Sequence, residues 1–251
     1  MKLKTYSIWT GIAIFLAAVC AGCEQAEDGP DGVHKVSPVL SFHYQTDTKG
    51  VVNDFAIGSR VGVYLTRTES FDPYQGDQRN MNVSYKLQGP DFWEAAYASS
   101  LGSEDANAWG YYPYQSGADD GLITLKNGED FMYSASPGLV TRSSPAVDIS
   151  LKHVMALVKF SISASVGKVR RISIANLPES ATLDIRTGAI VCGSNTVSLN
   201  VDADSSDMTG GIPVIPGNEI TLIVDTDKQA YLARSGCVLQ SGRQYVFSIG
   251  K

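Results

Sequence analysis

Reactive side chains are scarce in this chain. It has three histidines in 251 residues, His34, His43 and His153, too few and too scattered for an obvious acid–base relay. No Gly-x-Ser-x-Gly elbow, P-loop or His-Glu-x-x-His motif compensates. Of four cysteines, Cys20 and Cys23 sit at the start while Cys192 and Cys237 are isolated, so no zinc-binding spacing exists. There is no arginine-rich run with interleaved aromatics, and the net charge is -6, which argues against nucleic acid or an anionic membrane surface as partner. Helical periodicity is nearly absent. Asp202-Ala203-Asp204-Ser205-Ser206-Asp207 lacks the glycine and the distant glutamate of a calcium loop and reads as a solvated acidic turn. Asp119-Asp120-Gly121 reads as a hairpin turn rather than a hydrolytic carboxylate pair. No metal, cofactor or enzymatic activity is expected.

What is present begins at the first residues. Lys2 and Lys4 precede an apolar run from Ile8 to Val19, shorter than the roughly 20 residues a helix needs to cross a bilayer. Cys20-Ala21-Gly22-Cys23 closes the run and Glu24, Glu27 and Asp28 follow, the layout of a cleaved export signal. Small residues just before Cys23 resemble the lipobox of bacterial lipoproteins, in which that cysteine becomes the lipidated first residue. Cys20 is the rival, but Val19 before it is bulkier than Gly22. Residues 1–22 are therefore expected to be a lipoprotein signal peptide and 23–35 an acidic tether. The acidic stretch also resembles the surface-export tags of some Bacteroidetes lipoproteins. Loss of the signal removes two lysines and leaves 18 basic against 26 acidic residues, a net charge of -8. A multiply acylated cysteine would hold the chain to the outer membrane, since stable anchoring takes more than one chain.

The remainder has ample apolar material, at 43% hydrophobic and 18% charged residues. Period-two alternation marks Arg60–Thr66, Asn82–Gln88 and Leu122–Lys126 as strands. In the second half, Val147–Leu151, Ala156–Ser163, Val169–Ala175, Thr182–Ile185, Thr196–Val201, Glu219–Asp225 and Tyr245–Ile249 read the same way. Turns are expected at Asn127-Gly128, Pro137-Gly138, Gly210-Gly211 and Pro216-Gly217. Trp93–Ser99 is the one candidate for a short helix. Strands recurring about every 8–12 residues point to sandwiches. Breakers at both ends of Pro137–Pro145 suggest a boundary there, giving β-sandwich domains at 36–142 and 143–251. Cys192 and Cys237 either bridge or stay as two buried thiols, with the second favoured.

Several of these strands, in order, resemble the Bacteroidales fimbrillin family. They are Asp54-Phe55-Ala56-Ile57-Gly58-Ser59-Arg60-Val61-Gly62-Val63-Tyr64, Ala108-Trp109-Gly110-Tyr111-Tyr112-Pro113-Tyr114, Val147 to Phe160 with His153 and Ala156, and Leu239 to Phe247 with Gly242 and Tyr245. The resemblance implies an all-β chain of two transthyretin-like sandwich domains, made as a lipid-tethered precursor. It also implies polymerisation by strand exchange with other fimbrillin-type subunits. The strand to be lost would be Val36–Thr46. Lys49 is then the processing residue, in a Thr-Asp-Thr-Lys-Gly stretch that reads as an exposed turn, where the family often has Thr-Arg. Many relatives continue beyond the closing strand, and this chain stops at Lys251, so an accessory, anchor or terminal subunit fits as well as a stalk subunit. In the family motif His153 reads as a packed, hydrogen-bonded strand residue.

The expected function is that of a surface lipoprotein serving pilus assembly or adhesion. The alternative is a monomeric lipoprotein binding glycans or host and bacterial surface ligands through Trp93, Trp109, Tyr111 and Tyr112. Packing inside a sandwich is the simpler reading of those rings. If Cys23 is the anchor, the Cys23→Ser protein leaves the membrane fraction of a Bacteroidetes host. Release of Cys20→Ser instead would move the anchor to Cys20.

Overall fold

Alternation in the sequence becomes strand wherever it was read, because period two puts every second side chain on one face of a pleated sheet. The computed structural model describes residues 35–52 and 54–250. The signal region, Cys20 and Cys23 lie outside the described residues. The first nine strands are β1 (Val39–Tyr44), β2 (Arg60–Arg67), β3 (Val83–Gly89), β4 (Phe92–Ala95), β5 (Ala106–Tyr112), β6 (Leu122–Leu125), β7 (Met132–Ser134), β8 (Gly138–Val140) and β9 (Ala146–His153). Then come β10 (Ala156–Ile162), β11 (Val169–Pro178), β12 (Ala181–Asp184), β13 (Ile190–Cys192), β14 (Thr196–Ser205), β15 (Met208–Val214), β16 (Thr221–Thr226), β17 (Ala230–Arg234) and β18 (Gln244–Ile249). The protein is all-β, and Val36–Lys251 cluster as one unit.

Eight strands make the first sheet, in the order β1-β9-β7-β5-β2-β3-β4 with β8 also on β5. The sheet rolls until its ends meet. Phe42 on β1 reaches Tyr85 on β3 and Trp93 on β4, enclosing a core that includes Val61, Val63, Leu65, Ile149 and Leu151. A second core lies between the sheets β15-β10-β18 and β14-β11-β16-β17, filled by Val158, Phe160, Ile172, Ile174, Leu222 and Phe247. The joint between them is a small sheet, β13-β12-β6, whose strands come from both halves of the sequence. It buries Ile123, Leu125, Leu183 and Ile185 against Tyr64 and Tyr111, on the back of the rolled sheet.

Gly62 is required at that joint. A β-carbon there would lie 2.0 Å from the Tyr111 ring, the cross-strand partner of Gly62. The Tyr111 hydroxyl lies 2.8 Å from Asn82 Oδ1 and accepts the Gln115 N–H at 2.9 Å. Burial pushes its phenol pKa up to about 12, and pushes that of Tyr64 still further.

Three details differ from expectation. Trp93–Ser99 is not helical: Phe92–Ala95 form β4, returned against β3 by a turn in which Asp91 adopts φ +56°. Period two then buries Trp93 and sets Glu94 opposite Lys86. Gly210-Gly211 is not a turn but part of β15, where the Phe160 ring covers the space a β-carbon of Gly210 would take, 2.5 Å away. Cys192 and Cys237 are free and both exposed, neither bridged nor buried. Pro137–Pro145 contains β8, and β9 beyond it pairs with β1 and β7 of the rolled sheet, so the chain leaves the first core at Val154–Met155.

Phe160 is only 5% exposed and shields Gly210. Phe160→Ala should cost about 3–5 kcal/mol, read as a lowered urea midpoint. An unchanged midpoint would place this face of β10 in solvent.

Candidate functional site: the first strand and its strap

The sequence of β1, Val-Leu-Ser-Phe-His-Tyr, turns Leu40 and Phe42 inward and leaves Val39 and His43 outside. It pairs in parallel with β9 from Val39–Ala146 to Tyr44–Leu151 and is an end strand of its sheet. The ladder continues past both ends. Val39 N–H donates to Pro145 O at 2.9 Å and Gln45 N–H to Leu151 O at 2.6 Å. On the other side, Val36 forms an isolated bridge with Leu101. The Ser41 hydroxyl donates to the Asp148 carboxylate across the ladder.

Edge-to-face rings hold the inward side. The Phe42 centroid lies 4.9 Å from Trp93 and 5.8 Å from Tyr85, and Phe55 lies 5.3 Å from Trp93 and 5.2 Å from Tyr112. A cavity of about 290 Å³ opens beside Phe42, Phe55 and Trp93, with exposed Ile57 at its rim.

After β1 the strap Thr48–Val52 crosses a buried polar pair. Asp130 follows β6 and His153 ends β9, and each side chain is 1% exposed. His153 Nδ1 lies 3.1 Å from Asp130 Oδ1; a carboxylate only accepts, so the ring donates. Asp130 Oδ2 takes the N–H groups of Val51 at 2.6 Å and Val52 at 2.9 Å. The His153 N–H donates to Thr48 Oγ1 at 3.0 Å, and the Lys49 N–H donates to Gly242 O at 3.0 Å. His153 is thus packed and hydrogen-bonded in its strand, with a carboxylate and a strap that no local pattern revealed. Lys49 keeps an exposed side chain, while its backbone is tied down.

The four aromatics read as one cluster divide between two faces. Trp93 and Tyr112 pack into the rolled core, whereas Trp109 and Tyr111 point to the joint. Consecutive Tyr111 and Tyr112 cannot share a face of a strand. Trp109 meets an open cavity of about 280 Å³ with Phe71, Asn107 and Arg186, and Trp93 the one beside Phe42 and Phe55. Among the described residues no His, Cys, Asp and Glu cluster could hold a metal, and Asp202 and Asp204 instead pair with Arg171 at 3.3 Å and Lys168 at 2.5 Å.

A rolled sheet with β1 as an end strand, followed by a second two-sheet core, defines an all-β module. The chain belongs to the fimbrillin-like family, whose model matches residues 48–250. This is a structural and adhesive family, not an enzymatic one. No curated protein matches the chain. Among solved structures, a protein assigned to cell adhesion from Bacteroides uniformis is similar at 16% identity and TM-score 0.67, over 85% of this chain and 92% of that one. Another so assigned, from Bacteroides ovatus, is similar at 18% identity and TM-score 0.65, over 85% and 91%. A fimbrial protein from Bacteroides ovatus is similar at 12% identity and TM-score 0.54, over 86% of this chain and 49% of that one. At these identities the likeness bears on fold alone.

Phe42 ties the end strand to the opposite edge, so Phe42→Ala should cost about 3–5 kcal/mol. Amide hydrogen exchange in Val39–Tyr44 should accelerate well beyond that in β10. Equal acceleration in both would mean that the ring does not hold β1 specifically.

Proposed function

We propose that this chain is a lipid-tethered subunit of fimbrillin type, anchored through Cys23 to the outer membrane and acting in pilus assembly or adhesion by exchange of its first strand. Family membership supports the coarser part, a pilus-related adhesive role at the cell surface. The names of the similar structures, cell adhesion and fimbrial proteins, point the same way. In this reading the rolled sheet and the second sandwich are the two transthyretin-like domains, and the partners are other fimbrillin-type subunits.

One observation carries the strand-exchange part. β1 is an end strand held by a six-residue ladder, the inward side chains Leu40 and Phe42, the half-buried Tyr44 and the Ser41–Asp148 hydrogen bond. The ladder and the inward side chains are elements an incoming strand can reproduce: backbone hydrogen bonds for affinity and alternating pockets for register. Processing after Lys49 would separate β1 from the remaining chain while leaving the ladder intact until a competitor replaced it. Full-length protein digested until the Lys49–Gly50 bond is cut, then held at high concentration, should form oligomers that intact protein does not, as read by size-exclusion chromatography. Nicked protein that stays monomeric with β1 bound would exclude self-polymerisation by this route.

A second reading is a monomeric glycan-binding lipoprotein. It draws on Trp109, half-exposed beside Phe71, Asn107 and Arg186, whose ring and polar groups suit a sugar face and its hydroxyls.

A further inference from the structure

The residue that a trypsin-like protease would recognise, Lys49, presents its side chain to solvent. The backbone around it does not. Proteolysis of native proteins proceeds at segments whose backbone is free or can be freed by local opening. Here the N–H groups of Lys49, Val51 and Val52 are all committed, to Gly242 O and to Asp130 Oδ2. Thr48 is held as well, its Oγ1 accepting the His153 N–H.

The strap also lies in van der Waals register with the pair beneath it. A β-carbon on Gly50 would sit 2.0 Å from His153 Nδ1 and 2.4 Å from Asp130 Oδ2. Gly242, at φ +66°, closes over the strap from the loop before β18, and a β-carbon there would lie 3.1 Å from His153 O and 3.2 Å from Thr48 Cγ2. Its own N–H donates to Met155 O at 3.0 Å. Residues from the Asp130 turn, the end of β9 and the loop before β18 therefore converge on five residues of strap. Asp130 is the centre. Its carboxyl group places one oxygen on the imidazole and the other on two strap amides.

We propose that the buried Asp130–His153 pair is a latch on Thr48–Val52 that withholds the Lys49–Gly50 bond from proteases until the strap lifts. Cutting is then set by an opening equilibrium as much as by the protease's preference for a basic residue. Cleavage through a transiently opened segment tracks the population of the open form when opening is fast. The inference rests on the reading that Lys49 is where this chain is processed.

Trypsin digestion of the full-length protein in detergent micelles, followed by mass spectrometry, tests it. Lys228, exposed in the turn Thr226–Gln229 whose Lys228 and Gln229 N–H groups are held locally by the Thr226 hydroxyl, serves as an internal reference for a turn not tied to a buried pair. Wild-type protein should be cut after Lys49 more slowly than after Lys228. Asp130→Ala should raise the Lys49 rate at least tenfold, equivalent to about 1.4 kcal/mol of opening free energy, with the Lys228 rate unchanged. Gly50→Ala should do the same while leaving both members of the pair in place, because its methyl group forces the strap off the imidazole. Hydrogen exchange at the Val51 and Val52 amides should accelerate in step. If Asp130→Ala is cut everywhere because it fails to fold, Gly50→Ala and the wild-type exchange rates decide alone. Wild-type cutting after Lys49 as fast as in the variants, or strap amides that exchange freely in wild type, would overturn the latch. Failure of nicked protein to oligomerise would count against strand exchange and leave the latch standing.

Discussion

The pairing of β2 with β5 is the constraint from which the rest of the first half follows. Every residue from Val61 to Thr66 is buried, so this strand has no solvent face to anchor it by polarity. Its two faces are instead distinguished by shape. Val61, Val63 and Leu65 build the rolled core, while Gly62 and Tyr64 build the joint. A one-residue slip would drive tyrosines into the small-residue side lined by Ala106 and Ala108, and leave the stacked Tyr64–Tyr111 pair without partners. The register is thus held by volume, with the Gly62 vacancy under Tyr111 as its key.

From that pair outward the sheet becomes progressively less committed. β9 and β3 still bury most of one face, but β1 and β4 are ends, each holding the roll shut through a single large ring, Phe42 or Trp93. The aromatics that a ligand-binding interpretation would assign to a surface are therefore divided between closing the sheet, Trp93 and Tyr112, and packing the joint, Trp109 and Tyr111. Open cavities lie beside Ile57, beside Trp109 and, at about 670 Å³, between Arg67–Asp72 and Glu104–Asp105.

Much of this architecture was legible in the chain because its signal is local. Alternation such as Val-Gly-Val-Tyr or Val-Lys-Phe-Ser has one structural meaning, and the strands fall where it occurs. The failures have a common cause as well. Trp93–Ser99 lacks a clean alternation, so its strand character comes from the hairpin with β3. Gly210-Gly211 carries a turn composition but serves as the flat partner of an aromatic ring. The Asp130–His153 pair joins residues 23 apart to a strap nearly 80 residues earlier, and no spacing rule anticipates it. The division of the aromatics, by contrast, could have been foreseen, since Trp109, Tyr111 and Tyr112 obey the same parity that predicted the strands.

The parallel pairing of β1 with β9 has a consequence for how the chain comes into being. Ser41 meets Asp148, 107 residues further along, and a contact of such long range is made late because the loop between must first be closed. Translation delivers the amino terminus first, so β1 emerges long before β9, its ladder partner among the described residues. Within that interval Phe42 can already meet Tyr85 and Trp93, which precede β9 in the chain, so ring packing can seat the first strand before its ladder forms.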